Sequence, residues 1–215
     1  MGRQKLTTLL SGKPLLLYAL SSFSSSRLDE VIVVASEEVA KLVEGAEEGK
    51  VRVVVNADPK EGMSASLRLA LAEVRGGAAL IGLGDQPLLL PSTIDSIVSA
   101  YEGSTFKVIV PVCMGRRGNP VLIDRSLFPQ LLKIRGDVGA REVIAANPIL
   151  VGEVDVNDEG VLFDVDTPSA LIEARKALRR RAMRTRNPAA APRRLPGPPA
   201  ARSSSQESRR RRSTG

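Results

Sequence analysis

Residues 78–87, Ala-Ala-Leu-Ile-Gly-Leu-Gly-Asp-Gln-Pro, begin as an apolar run without polar alternation and end in a carboxylate and a turn. A short apolar run bounded by glycine and proline reads as a strand buried on both faces. Three similar runs occur at 31–36 (VIVVAS), 51–56 (VRVVVN) and 107–112 (KVIVPV). Between them Leu67, Ala70, Leu71 and Val74 fall at i, i+3, i+4 and i+7, as do Ile94, Ile97, Val98 and Tyr101. That spacing puts an apolar stripe on one helix face. Alternating buried strands and amphipathic helices predict an α/β fold of three layers, mostly parallel and Rossmann-like, with right-handed crossovers. Ligands of such sheets gather at the carboxyl ends of the strands.

Beyond residue 112 the rhythm changes. Gly- and Arg-rich loops at 115–120 and 135–141 flank a short strand at 121–123, a region read as an insertion on the acceptor side. Strand character resumes at 149–156 and 161–166, and Thr167 with Pro168 reads as the cap and first turn of a last helix, fraying near Arg181. From Arg184 on, Pro, Ala, Arg and Ser leave too little apolar surface to offset chain entropy. The expected organisation is a folded domain over 1–183 and a disordered basic tail over 184–215.

Charge follows the same division. The 215 residues carry a formal net charge of +7, yet from Arg179 onward twelve arginines face only Glu207, leaving 19 basic and 23 acidic residues before it. The folded body is therefore mildly acidic, which argues against a nucleic-acid-binding face; any nucleic-acid contact would be weak and confined to the tail, where Arg209–Arg212 are clustered. No histidine is present, so imidazole bases and most zinc sites are excluded, leaving carboxylates, Lys, Arg and hydroxyls to carry chemistry. The lone Cys113 cannot form an internal disulfide, and a reduced, cytoplasmic setting is expected. No apolar run approaches the roughly 18 residues of a membrane span. The basic, then apolar start is broken by Lys13 and Pro14, with no small-residue cleavage site behind it.

Four segments could carry chemistry. Asp85, at the carboxyl end of the 78–84 strand, would point into the ligand crevice, with Gly84 allowing close approach of a ligand and Pro87 fixing the turn. It suits a hard divalent cation; the plainer alternative is a turn former. In Asp164-Val165-Asp166-Thr167-Pro168, an extended backbone would put both carboxylates on one face, as a cation site or as ordinary capping at a solvated strand end. Arg3 and Lys5, beside Gly2, would hold a triphosphate or be exposed terminal charges. Gly62 leads into a helix in which Ser64 or Ser66 would cap, or at whose entrance N–H groups would face a nucleotide.

In this order, M-G-x-x-K at 1–5, G-K-P-L-L at 12–16, E-G-M-S-A-S-L-R at 61–68, G-D-Q-P at 84–87, G-R-R-G-N-P at 115–120, G-D-V-G-A-R at 136–141 and D-V-D-T-P at 164–168 resemble the molybdenum cofactor cytidylyltransferases. These form part of the molybdopterin nucleotidyltransferases. The resemblance spans 1 to about 178 and implies a nucleotide-diphospho-sugar transferase-type fold. It implies Mg²⁺-dependent transfer of CMP from CTP to molybdopterin, with release of pyrophosphate and delivery to a molybdoenzyme or its insertion chaperone. Asp85 and Asp166 fall at the metal and catalytic positions, together with Lys5. Arg3, Lys5, Gly62, Ser64, Ser66, Gly84 and Asp85 fall on the nucleotide side, and Arg116, Arg117, Asn119 and Arg141 on the acceptor side. Attack by an already ionised phosphate needs no histidine base.

The family opens with a strand and a loop L-A-A-G-x-S-x-R ahead of M-G-x-x-K, whereas this chain starts at that Met. A late-assigned start codon is the expected reason. A sheet lacking its central strand would carry unpaired backbone and a gap in its core, and would be poorly stable or inactive. Because that loop helps to choose the base, a guanylyltransferase or another small-molecule nucleotidyltransferase of the same fold is the alternative. A non-enzymatic alternative is an inactive α/β domain acting through its basic tail.

Overall fold

The computed structural model describes residues 5–43 and 49–186. The chain divides into two units, Met1–Arg180 and Arg181–Gly215. Of the second, only Arg181–Arg186 are described, and they are helical. Arg3, and the tail expected to be disordered from 187 onward, lie outside the described residues.

The chain enters through a 3₁₀ turn at Lys5–Thr7 and a small antiparallel pair, β1 (Leu9–Leu10) and β2 (Lys13–Pro14). Helix α1 (Leu15–Ser24), strand β3 (Val31–Ala35), helix α2 (Glu37–Val43) and strand β4 (Val51–Val55) follow, with β3 and β4 paired in parallel. Leu16 and Leu20 of α1 and Val39 and Val43 of α2 pack with Val31, Ala35 and Val51 in one buried cluster.

The second part begins with α3 (Met63–Glu73), β5 (Ala78–Ile81), α4 (Pro91–Glu102) and β6 (Val108–Cys113). It continues through β7 (Arg116–Arg117), β8 (Val121–Asp124), α5 (Phe128–Leu131), α6 (Arg141–Ala146), β9 (Val151–Asp155) and α7 (Pro168–Arg186). The sheet runs β5-β8-β6-β7, with β9 added in parallel to β6. Alternation along β6 sets the layers, since successive side chains point to opposite faces. Val108 and Val110 pack with Leu67, Leu71, Phe128 and Val143, whereas Ile109 packs with Ile97 of α4. Ile94 and Ile97 are fully buried, a gain of about 1.5–3 kcal/mol each.

The three-layer α/β reading holds, and the predicted helix stripes are the buried faces of α3 and α4. Several local expectations change. The sheet is mixed: the short strand expected at 121–123 is β8, an interior strand antiparallel to both β5 and β6. Residues 161–166 are not a strand. Asp158, buried, accepts from Gly160 N–H at 3.0 Å, Leu90 N–H at 2.9 Å and Thr93 Oγ1 at 2.7 Å, and so caps a 3₁₀ turn at Glu159–Leu162 while fixing the start of α4. Thr167 does cap α7, its Oγ1 accepting from Ala170 N–H at 3.1 Å, but that helix runs on to Arg186.

Among the described residues β3 pairs only with β4, and β5 only with β8. Both strands line a cavity of about 1430 Å³, walled also by Leu16 and Leu20 of α1 and by Leu67 and Leu71 of α3.

Candidate functional site

The G-D-Q-P loop leaves the carboxyl end of β5. A Cβ at Gly84 would meet Leu16 Cδ1 at 2.8 Å and Leu6 Cδ2 at 3.4 Å. A side chain at this position would crowd Leu16 of α1. The next residue, Asp85, offers its backbone oxygen to Val165 N–H at 3.0 Å. That bond brings D-V-D-T-P beside G-D-Q-P.

Lys5 closes the site. Its ammonium donates to Asp85 Oδ2 and, at 2.5 Å, to Asp166 Oδ1. Burial works against the charge on Lys5, but its bonds to Asp166 and Asp85 and their negative charges outweigh this and hold its pKa above the ordinary value. The second oxygen of Asp85, Oδ1, is buried without a hydrogen-bond partner. The Lys5 and Asp85 side chains are mostly covered, whereas that of Asp166 is 70% exposed.

Asp164 and Asp166 do not act as a matched pair on one strand face. Asp164 turns to Gln86, whose Nε2 donates to its Oδ1 at 2.8 Å. Burial raises the Asp164 pKa; the Gln86 bond lowers it, the charges of Asp85 and Asp166 raise it, and Lys5 lowers it, for a net rise. Gln86 is itself almost fully buried, with Oε1 unpartnered. The motif reading gave Gln86 no role; the signal was there, since an amide between a strand end and a proline rarely stays buried without a polar purpose.

The remaining candidates lie apart from this cluster. Gly62 has φ +92°, and a Cβ there would meet Gly136 C at 2.6 Å. Neither Ser64 nor Ser66 caps α3. Met63 N–H donates to Asp137 Oδ1 at 3.3 Å and Ser64 N–H to Gly136 O at 3.2 Å, so the loop at 136–141 already occupies this helix entrance. The buried Ser64 hydroxyl accepts from Arg68 at 3.2 Å, and that of Ser66 from Asn56 at 3.1 Å. On the acceptor side Arg117, Asn119 and Arg141 line the large cavity with Ser66, while Arg116 is exposed on β7 outside that lining. Arg117 Nε donates to Glu153 Oε1 at 2.6 Å. Asn119 is fixed by its N–H to Val161 O at 2.9 Å. Cys113 is buried in β6.

Among the described residues no group of three or more Asp, Glu or Cys is placed to hold a metal ion unaided. Two carboxylates, one with a buried unpartnered oxygen, suit a hard cation whose other ligands are substrate phosphates and water. No helix among the described residues is long and apolar enough to cross a membrane.

Comparison with known proteins identifies the family of the chain. The chain is 30% identical over 189 residues to the purine catabolism protein PucB of Bacillus subtilis strain 168, covering 83% of this chain and 91% of that one. It is 34% identical over 122 residues to a probable molybdenum cofactor guanylyltransferase of Thermococcus kodakarensis, covering 56% of this chain and 55% of that protein. The crystal structure of Rv0371c from Mycobacterium tuberculosis H37Rv superposes with a TM-score of 0.67 at 25% identity, over 82% of this chain and 90% of that one. Residues 1–153 match the model of the MobA-like NTP transferase domain, and the chain is a nucleotidyltransferase of that family.

Proposed function

We propose that the chain transfers CMP from CTP to the terminal phosphate of molybdopterin, releasing pyrophosphate. The observation that carries this is the Lys5 ammonium set between Asp85 and Asp166 at the carboxyl end of β5. Asp85, through its free Oδ1, and Asp166 would hold Mg²⁺ together with nucleotide phosphate oxygens. The cation would neutralise charge on the α-phosphate and the leaving pyrophosphate. Lys5 would contribute a fixed positive charge beside those oxygens. The acceptor phosphate is ionised at neutral pH, so the lack of histidine costs the reaction nothing. Arg117, Asn119 and Arg141 on the cavity wall, with Arg116 nearby in sequence, give an anionic acceptor guanidinium and amide partners.

The preference for CTP rests on the G-D-Q-P sequence. GTP is the second reading, favoured by the relative from Thermococcus kodakarensis that is named a guanylyltransferase. Pyrophosphate release with molybdopterin and Mg²⁺ tests both. Faster release from CTP than from GTP, and its loss in Asp85→Asn, is expected. Faster release from GTP moves the reading to guanylyl transfer, and full activity in Asp85→Asn overturns the metal assignment.

A further inference from the structure

Three carboxylates converge where G-D-Q-P meets D-V-D-T-P, and Lys5 is bonded to two of them, Asp85 and Asp166. The third, Asp164, feels the charges of all three groups, yet its Oδ1 accepts from Gln86 Nε2 at 2.8 Å instead. Alternation along an extended backbone would put Asp164 on the same side as Asp166. Gln86 is what draws it away. Both neighbours of Nε2, Asp164 Oδ1 and Val161 O at 3.4 Å, are acceptors, so the amide has to present its NH₂ there and not its oxygen. One residue earlier, Asp85 O accepts from Val165 N–H at 3.0 Å. Consecutive residues of one loop thus grip consecutive residues of the other. Val165 is fully buried beside Leu10, Leu15 and Ala174, which seats the segment on α1 and α7 but leaves the direction of the adjoining carboxylates to polar contacts.

We propose that Gln86 is a positioning residue for nucleotidyl transfer: it withdraws Asp164, so that Asp85 and Asp166 alone face the cation and the nucleotide phosphates. This rests on the metal assignment made under the proposed function. Two carboxylates leave a divalent cation short of ligands, and phosphate oxygens of the nucleotide complete its shell. Metal and nucleotide are then held together. A third carboxylate would hold the cation without the nucleotide, and would add negative charge where charge builds up on the leaving pyrophosphate.

Mn²⁺ is the probe, because water-proton relaxation separates the free ion, its CTP complex and the protein-bound forms. Gln86→Met in the full chain keeps length and bulk and removes the donor. It should bind Mn²⁺ without nucleotide about ten-fold or more tightly than the parent chain, and transfer CMP about ten-fold or more slowly. Adding Asp164→Asn should cancel the gain in Mn²⁺ affinity. A merely structural glutamine gives no gain, so unchanged or weaker Mn²⁺ binding by a folded Gln86→Met overturns the proposal, as does a gain that persists in the double variant. Asp164→Asn alone still accepts the Gln86 N–H and should leave Mn²⁺ binding with CTP within about three-fold, whereas a loss of about ten-fold would make Asp164 a cation ligand. That loss overturns the proposal even where Gln86→Met does not fold. The metal assignment is read separately: it fails if Asp85→Asn binds Mn²⁺ with CTP or GTP as tightly as the parent chain.

Discussion

Gln86 and Asp164 are joined by a 2.8 Å hydrogen bond from a side-chain amide that is almost entirely buried. This bond holds the two acidic loops in register and opposes the burial that raises the Asp164 pKa. Gln86→Leu keeps the bulk and removes the donor. Stability at neutral pH should fall by about 1–2 kcal/mol, and the Asp164 pKa should rise further. A carboxyl raised in the folded state costs stability above its unfolded pKa, so the deficit should shrink as pH falls through the raised value. Urea unfolding at a series of pH values checks this; a pH-independent deficit assigns the loss to packing alone.

Lys5 makes the opposite kind of pH dependence. Its folded pKa is raised, so the stabilisation it supplies is complete below its ordinary value of 10.5 and disappears as pH rises through the folded value. Lys5→Met should destabilise by about 1–3 kcal/mol at pH 7, with the two proteins converging in strong alkali. Nucleotidyl transfer should fall by about 10²-fold or more, because the charge beside the phosphates is lost. Equal activity in the variant would remove Lys5 from the site.

At the far end of the sheet Asp124 accepts from the Ser126 hydroxyl at 2.5 Å and N–H at 2.9 Å, Tyr101 Oη at 2.5 Å and Lys107 Nζ at 3.2 Å. The Ser126 and Tyr101 bonds hold its carboxyl well below the usual range, and burial with the Asp124 bond pushes the Tyr101 phenol up to about 12. Asp124→Asn should lose about 1–3 kcal/mol near neutrality. A depressed carboxyl stabilises fully above its unfolded pKa, so this loss should begin to shrink as pH falls below about 4 and disappear only as pH falls through the far lower folded value. Ultraviolet titration should show Tyr101 moving back toward its ordinary 10.0.

Two glycines separate backbone strain from steric crowding. Gly12 has φ +89° and open space, with nothing within 4 Å of where a Cβ would stand, whereas Gly62 has φ +92° and the Gly136 backbone 2.6 Å from that point. Gly12→Ala should cost about 1–2 kcal/mol. Gly62→Ala should cost about 1–3 kcal/mol more and loosen the 136–141 loop. Thermal unfolding of the two variants is the measurement, and equal losses would show that the loop yields freely.

Much of this was legible in the chain itself. Runs such as VIVVA and KVIVPV announced strands because both faces are covered, and the stripes through Leu67 and Ile94 marked the helix faces that cover them. The meeting of Lys5, Asp85 and Asp166 followed from motif order. Pairing partners were less legible, since β8 is short and its place between β5 and β6 depends on tertiary register rather than composition. Asp158 misled more directly. Its role as a remote cap for α4 turned a stretch with strand-like residues, 161–166, into a turn and an irregular segment. Likewise Asp137 and Gly136 took the helix entrance that Ser64 and Ser66 were expected to serve. Local propensity carries no information about a partner 74 residues away.

The tie between Asp85 O and Val165 N–H, and the 161-residue separation of Lys5 from Asp166, also fix a timetable. During synthesis the first acidic loop emerges long before the second, so neither local structure nor an early folded half can hold the three charged groups in place. Loop closure over such distances is slow to be rewarded. The Lys5–Asp85–Asp166 cluster can therefore close only late in synthesis, and a ribosome-bound fragment ending before Val165 should carry Asp85 without Asp166 to share its lysine.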